Sequence, residues 1–315
     1  MLKRTVNSLL KARKGRGDIE IVVVEEGDMP QKIEGVKYIF LPRKNLGLGY
    51  ARNTGVKNAS GDIILFTDDD VVVDENWIDE MIRGFQYGDG IYGVAGLTRT
   101  LIVKWFNGVE EILGLPGGGI KWLYWSGNKI VPAFGMSGCN MGFRKEVFDE
   151  FSFIEHSFGK YGGDDWYLST KVREKYKCVF NPSAVVYHQP KNKLTRLMDV
   201  YFRRQICDYL AKRDLYGYSK FYAVFGKLFQ CVIIRFFVSL VIIVIFGFKG
   251  LLFVALMYYI LSLVSIIKFL RYIEDKRCFF IYPFVKFITE LGIFKGELCV
   301  LFSKDVHFDK ILERY

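Results

Sequence analysis

The spacing of apolar positions changes character along the chain, and each change marks a different kind of element. Short β-branched and aromatic runs read as strands, some buried on both faces: "IEIVVV" (19–24), "VKYIFL" (36–41), "DIILFT" (62–67), "IYGVAG" (91–96) and "CVFNPSAVVYH" (178–188). Between them, apolar residues three and four apart predict helices near 2–12, 48–59, 75–86, 145–150 and 165–176. Strands alternating with helices predict an α/β fold with a mainly parallel sheet, in which ligands gather at strand C-termini.

Beyond about residue 220 the pattern stops being amphipathic. Residues 228–248 and 250–267 are almost wholly apolar, and each approaches the ~20 residues needed to cross a hydrocarbon core. Only Lys249, between glycines, separates them, so they predict a tight membrane hairpin or, alternatively, a buried helical pair in a soluble core. Arg235 is the misfit, at roughly 2.5–3.5 kcal/mol for mid-membrane Arg, eased by snorkelling. A third apolar stretch, from Phe279, carries Lys286, Glu290, Lys295 and Glu297 and predicts an amphipathic helix in the interface. The domain division expected is 1–220 for a globular domain and 221–315 for hairpin and amphipathic helix.

Charge refines this picture. Lys212, Arg213, Lys220 and Lys227 precede the hairpin and Lys268, Arg271, Lys276 and Arg277 follow it, a bias that places the globular domain in the cytoplasm, at the cell membrane. The formal net charge of +10 suits a membrane surface or a phosphorylated substrate; the basic residues are too dispersed for a nucleic-acid site. Six cysteines without CxxC spacing read as reduced structural thiols. The Gly- and Trp-rich stretch 104–127 lacks a period and reads as a loop that covers a substrate, dips into a membrane, or simply varies.

Within the globular part, "ILFTDDDVVVD" (64–74) sets Asp68, Asp69 and Asp70 after a strand. Alternation lets Asp68 and Asp70 share a face and hold a hard divalent cation, while Asp69 turns away; the alternative is a hydrogen-bonded turn, with Asp74 capping the next helix. In "NLGLGYARNTG" (45–55) a GxG turn opens a helix carrying Arg52 and Asn53; Arg52 stands where a dinucleotide fingerprint needs its third glycine, so that reading fails. Asp164 and Asp165 open a helix whose N-terminus keeps a carboxylate ionised, either as a base or as a cap. His188 ends a strand, as a ligand or as a structural histidine.

These motifs, in this order, resemble the family 2 glycosyltransferases across roughly residues 1–190. The matching residues are Glu25 and Glu26, the segment from Asn45 to Gly55, Asp68 to Asp70, "GCNMGFR" (138–144), Asp164 with Asp165, and His188. The resemblance implies a GT-A fold with a mixed, mainly parallel sheet and helices on both faces. It also implies a hexosyltransferase that moves sugar from a nucleoside-diphosphate sugar to an acceptor hydroxyl, with inversion. Asp70, aided by Asp68 and His188, would hold Mg²⁺ or Mn²⁺. Glu25, Asn45, Arg52, Asn53 and Asp68 would bind the donor, and Asp165 would be the base. Asp164, Gly138, Asn140 and Arg144 would shape the acceptor side, and the acceptor would be a glycan or, as the membrane tail suits, a lipid-linked molecule. Two departures stand out: Glu25 occupies a place usually held by Asp, and the chain opens inside the helix that normally follows the family's first strand, so a start upstream of Met1 is expected. Two rival readings are a haloacid-dehalogenase-like phosphatase with Asp68 as nucleophile and a non-catalytic membrane-anchored nucleotide-sugar-binding protein.

Overall fold

The computed structural model describes residues 1–315 except 32, 45, 102–106, 116, 161, 190–193, 227–230, 305, 306 and 313–315. In chain order the elements are α1 (Leu2–Ala12), β1 (Val22–Gly27), β2 (Lys37–Pro42), α2 (Leu48–Asn58), β3 (Ile63–Phe66), β4 (Val71–Val73), α3 (Trp77–Phe85), β5 (Ile91–Thr100), α4 (Gly108–Leu113), α5 (Gly119–Ser126), β6 (Val131–Pro132), β7 (Met141–Arg144), α6 (Asp164–Lys175), β8 (Lys177–His188), α7 (Leu194–Tyr216), α8 (Lys220–Phe225), α9 (Val232–Ile266), α10 (Arg277–Phe302) and α11 (Phe308–Leu312). They form two compact units, Met1–Val103 with Glu110–Pro190, and Lys104–Val109 with Lys191–Tyr315.

In the first unit β1 and β2 pair in parallel as a sheet of their own. The main sheet runs β3-β7-β5-β8-β4, with β6 added to β8. It is mixed: β5 and β8 are parallel, whereas β3–β7, β5–β7, β4–β8 and β6–β8 are antiparallel. β4, β6 and β7 span only three, two and four residues, too short for alternation to reveal, and the helix expected at 145–150 is a 3-10 turn, Lys145–Asp149. The register pairs Thr100 with His188 and Val71 with His188, which brings the C-terminal ends of β5 and β8 to the start of β4. At the other side Phe66 pairs with Met141, setting residues after β3 beside the turn before β7.

The core explains why these segments adopt their elements. Trp77, Ile78, Met81 and Phe85 fall on one face of α3 and are buried with Val94, Val179 and Val186 of the sheet, about 1.5–3 kcal/mol for each large side chain. Asp74 fixes the turn that precedes α3, its carboxylate accepting the Asn76 N–H at 2.9 Å, while the N-cap position itself falls to Asn76. Beside β4, α1 supplies hydroxyls where a neighbouring strand would supply amides: Thr5 Oγ1 donates to the carbonyls of Asp69 (2.8 Å) and Val71 (2.6 Å), and Ser8 Oγ accepts the Val73 N–H (3.1 Å).

In the second unit, α9 is not straight. Gly247 has φ 55° and ψ −135°, and a Cβ on Gly250 would lie 2.6 Å from the Ile242 carbonyl oxygen, eight residues back. Eight residues of straight helix span about 12 Å, so the chain doubles back at Gly247. Phe236 and Tyr258, equidistant from that turn, both pack on Phe287 of α10, at 6.4 and 5.8 Å between ring centroids. Residues 232–272 are long and apolar enough to cross a membrane, with mean hydropathy 2.7 over an 18-residue window, and large side chains from Phe237 to Val264 are exposed. α10 packs closely on α7, a Cβ on Gly292 falling 2.2 Å from the Met198 carbonyl oxygen. Its charges have partners inside the unit: Glu290 pairs with Arg235 at 2.9 Å, and Glu297 accepts the N–H groups of Val232 and Ile233 at the start of α9.

Candidate active site

Arg52 is the residue around which the site is assembled. It sits on α2, whose start is pressed against the loop 154–160: a Cβ on Gly47 would lie 2.5 Å from Lys160 Cα, and one on Gly49 2.0 Å from the Ile154 carbonyl oxygen. That close approach, rather than a phosphate cradle, accounts for the GxG. Asn53 fastens the same loop, Nδ2 donating to the Phe153 carbonyl (2.9 Å) and to Glu155 Oε1 (2.7 Å), and Oδ1 accepting the Phe153 N–H (3.0 Å). The loop leads into α6, and its first residue meets Arg52: Nη1 to Asp164 Oδ2 is 2.6 Å. Nη2 reaches Asp68 Oδ1 at 2.9 Å.

Gly138 lies beneath the guanidinium, with room for nothing larger, since a Cβ there would be 2.1 Å from Nη2. Its N–H donates to Asp165 Oδ2 at 2.7 Å, while Asp165 Oδ1 accepts the Trp166 N–H at 2.7 Å. The base expected from sequence is therefore held by two backbone donors at a helix N-terminus. Asp164 is wholly buried, and its Oδ1 has no hydrogen-bond partner among the described residues. Burial pushes its carboxyl up to about 6; the Arg52 charge opposes this, and the neighbouring Asp165 and Asp68 add to it. Arg52 keeps its charge, because the three carboxylates outweigh its own desolvation. Cys139, next to Gly138, is buried and its thiol is pushed up to about 12 by desolvation and then by Asp68, so it stays protonated.

Asp70 faces the other way. Its Oδ1 is 3.3 Å from His188 Nε2, a contact set by the β4–β8 register, and its carbonyl accepts the Gln189 N–H at 2.9 Å. Among the described residues, no three His, Cys, Asp or Glu side chains converge on one point. The oxygen–nitrogen pair of Asp70 and His188 nonetheless suits a divalent cation whose remaining ligands are phosphate and water, and Asp68 lies two residues away, turned to Arg52.

Other motif residues go elsewhere. Asn140 is buried in the core, accepting the Trp77 Nε1–H (2.8 Å) and donating to the carbonyls of Leu97 and Ala184 (3.0 Å each). Arg144 pairs with Ile63 in the β3–β7 register, at the far end from Asp68, and donates to the Ile91 carbonyl at 2.8 Å. Glu25 lies within the small β1–β2 sheet, opposite Phe40, accepting from Gln31 Nε2 (2.6 Å) and Tyr38 OH (2.5 Å). Asn45 lies outside the described residues. The 153–155 segment that anchors α2 was not foreseen; "FSFIEH" carries no local signal of a contact a hundred residues away.

Residues 1–151 match the profile of Glycosyl transferase family 2. That span, just under half of the 315 residues, is a glycosyl transferase family 2 domain. Among solved structures, the mannosyltransferase PcManGT from Pyrobaculum calidifontis, in complex with GDP-Man and Mn²⁺, is 13% identical; 96% of this chain and 84% of that one are covered, with a TM-score of 0.55. S. aureus TarS, residues 1–349, is 12% identical over 95% and 86%, TM-score 0.47. GalNAc-T7 with UDP, GalNAc and Mn²⁺ is 19% identical over 60% of this chain, TM-score 0.43, and this chain spans 40% of its length. No curated protein matches. The domain has the GT-A fold, a mixed sheet with helices, and the match to this family supports a glycosyltransferase over the phosphatase reading.

Proposed function

We propose that this glycosyltransferase moves a sugar from a nucleoside-diphosphate sugar to an acceptor hydroxyl with inversion at the anomeric carbon, Asp165 acting as base. The observation that carries the reading is the guanidinium of Arg52, which joins Asp68 to Asp164 above Gly138 and so ties the phosphate side to the residue next to Asp165. Two backbone N–H groups fix the Asp165 carboxylate before any acceptor arrives, which favours a single, well-aimed proton transfer. Arg52 and Asp68 line the donor side. Asn53, Asn140 and Arg144 act at one remove, through the loop and strands they hold.

Asp70 and His188, with Asp68 nearby, would hold Mg²⁺ or Mn²⁺, which when bound neutralises charge gathering on the leaving diphosphate. The GDP-Man and Mn²⁺ bound by PcManGT support a nucleotide-sugar donor and a divalent cation here. The α9 hairpin anchors the chain in a membrane with the catalytic unit on the cytoplasmic side, on the basic residues that flank its open end, and this suits a lipid-linked acceptor.

Asp165→Asn is expected to lower transfer about 10²- to 10⁴-fold while calorimetry shows donor affinity unchanged. Full transfer by that variant would sink the assignment of the base. Excess chelator is expected to abolish transfer; undiminished activity would overturn the cation site. Carbonate extraction should leave the full chain in the membrane fraction.

A further inference from the structure

Aromatic side chains stand at both ends of the seam that leads away from Asp165, Trp166 at the near end and Phe134 with Trp125 at the far end, and nothing in the reaction described above uses them. α6 and the segment 133–138 lie side by side, Gly138 N–H on Asp165 at one end and Arg173 Nη1 on the Ala133 carbonyl (3.2 Å) at the other. Eight helical residues separate those contacts, about 12 Å. Trp166 is seven residues before Arg173 and so shares its side of α6. It is half-buried and has no ring partner among the described residues. Phe134, 39% exposed, follows Ala133 at the Arg173 end of the seam, and its ring lies 5.7 Å from that of Trp125 of α5, 50% exposed.

These exposed rings are braced from below. Trp122 packs against Phe180 at 5.7 Å and Phe134 at 6.4 Å, and Gly135 leaves it space, a Cβ there lying 3.0 Å from the indole. Water-facing aromatics fixed on buried ones are poised to bind a ligand rather than to fill a core. The row's inner end at Asp165 limits the occupant to a molecule whose reacting hydroxyl sits there and whose body extends along α6. Ring faces rich in π electrons favour the C–H face of a pyranose.

We propose that Trp166, Phe134 and Trp125 form the floor of an acceptor groove that takes successive sugar rings of an oligosaccharide, with Asp165 at its inner end. This rests on Asp165 as base, but its test needs neither donor nor turnover, so failure of the groove and failure of the transfer reaction are read separately. The full chain is titrated with mannotriose, maltotriose, cellotriose and chitotriose, followed by tryptophan fluorescence and calorimetry. At least one is expected to saturate and change the fluorescence. Trp125→Ala and Phe134→Ala should each weaken that glycan about fivefold, with Phe134→Tyr close to the parent chain. Three results would overturn the groove: no saturation with any of the four, unchanged affinity in both alanine variants, or variants whose defect is instead weaker sedimentation with phosphatidylglycerol vesicles, which would make the rings a membrane contact.

Discussion

Asp165 receives two backbone N–H groups at 2.7 Å each, whereas Asp68 and Asp70, two residues apart, turn to different partners, Arg52 and His188. One end of the site is finished by the fold; the other is left with carboxylates divided between a cation of the protein and an imidazole. On the roles proposed for them, the difference follows from what each end would meet. A base works best when its geometry is fixed in advance. A phosphate-and-cation site brings its own charges, and carboxylates already converged on an empty point would repel one another. Arg52 stands between the two ends, 11% exposed, with Asp164 almost fully enclosed on one side and Asp68 a third exposed on the other.

Removing Arg52 should break this arrangement most severely. Arg52→Ala strands the buried Asp164 carboxylate, and chemical denaturation is expected to show a loss of about 3–5 kcal/mol. Arg52→Lys, unable to reach both carboxylates with a planar fork, should recover only part of it.

The enclosed carboxyl of Asp164 gives the next largest effect, and its sign is definite. Its folded pKa, about 6, lies above the ordinary 3.8, so the folded state keeps a proton that the unfolded chain has already released. Stability from this group is present at low pH and is lost as pH rises through about 4 to 6. Thermal unfolding of the parent chain relative to Asp164→Asn should therefore shift in the variant's favour over that window, by about 2–4 kcal/mol. A flat difference would mean that the Arg52 charge keeps Asp164 ionised throughout.

Gly138→Ala places a methyl group against the Arg52 guanidinium without touching the N–H that holds Asp165. A cost of about 1–3 kcal/mol is expected, with a larger effect on donor affinity than on the pH profile of transfer. Equal damage to both would show that the two ends move as one. The smallest effect should come from Thr5→Val, which removes the hydroxyl serving the Asp69 and Val71 carbonyls; about 1 kcal/mol is expected, read as faster amide exchange in β4.

How much of this was legible in the sequence depended on whether a residue's task is local. The long strands announce themselves by their β-branched runs and α3 by periodicity, α2 and α6 by the glycine turn and the acidic pair that open them, and Asp68, Asp164 and Asp165 by charge where a strand ends or a helix begins. β4, β6 and β7 do not, because strands of two to four residues are defined by what they pair with. Polar motif residues divide in the same way. Arg52 and Asn53 are neighbours on one helix, yet one faces the site and the other is consumed by the backbone of the 153–155 segment; only the fold distinguishes them. Asn140 and Arg144 likewise satisfy backbone carbonyls, a role no sequence pattern separates from binding.

The two ion pairs of Arg52 also differ in when they come into existence. Asp68 is 16 residues downstream of it and Asp164 is 112. On a ribosome adding about 5–20 residues per second, the second partner follows the first by about 5–20 s. During that interval Arg52 has only its nearer carboxylate, and the segment that seats α2 has not yet been made. A nascent chain thus carries Asp68 and Asp70 for seconds before Asp164 and Asp165 exist. The bridge through Arg52 can close only once about half of the chain has been made.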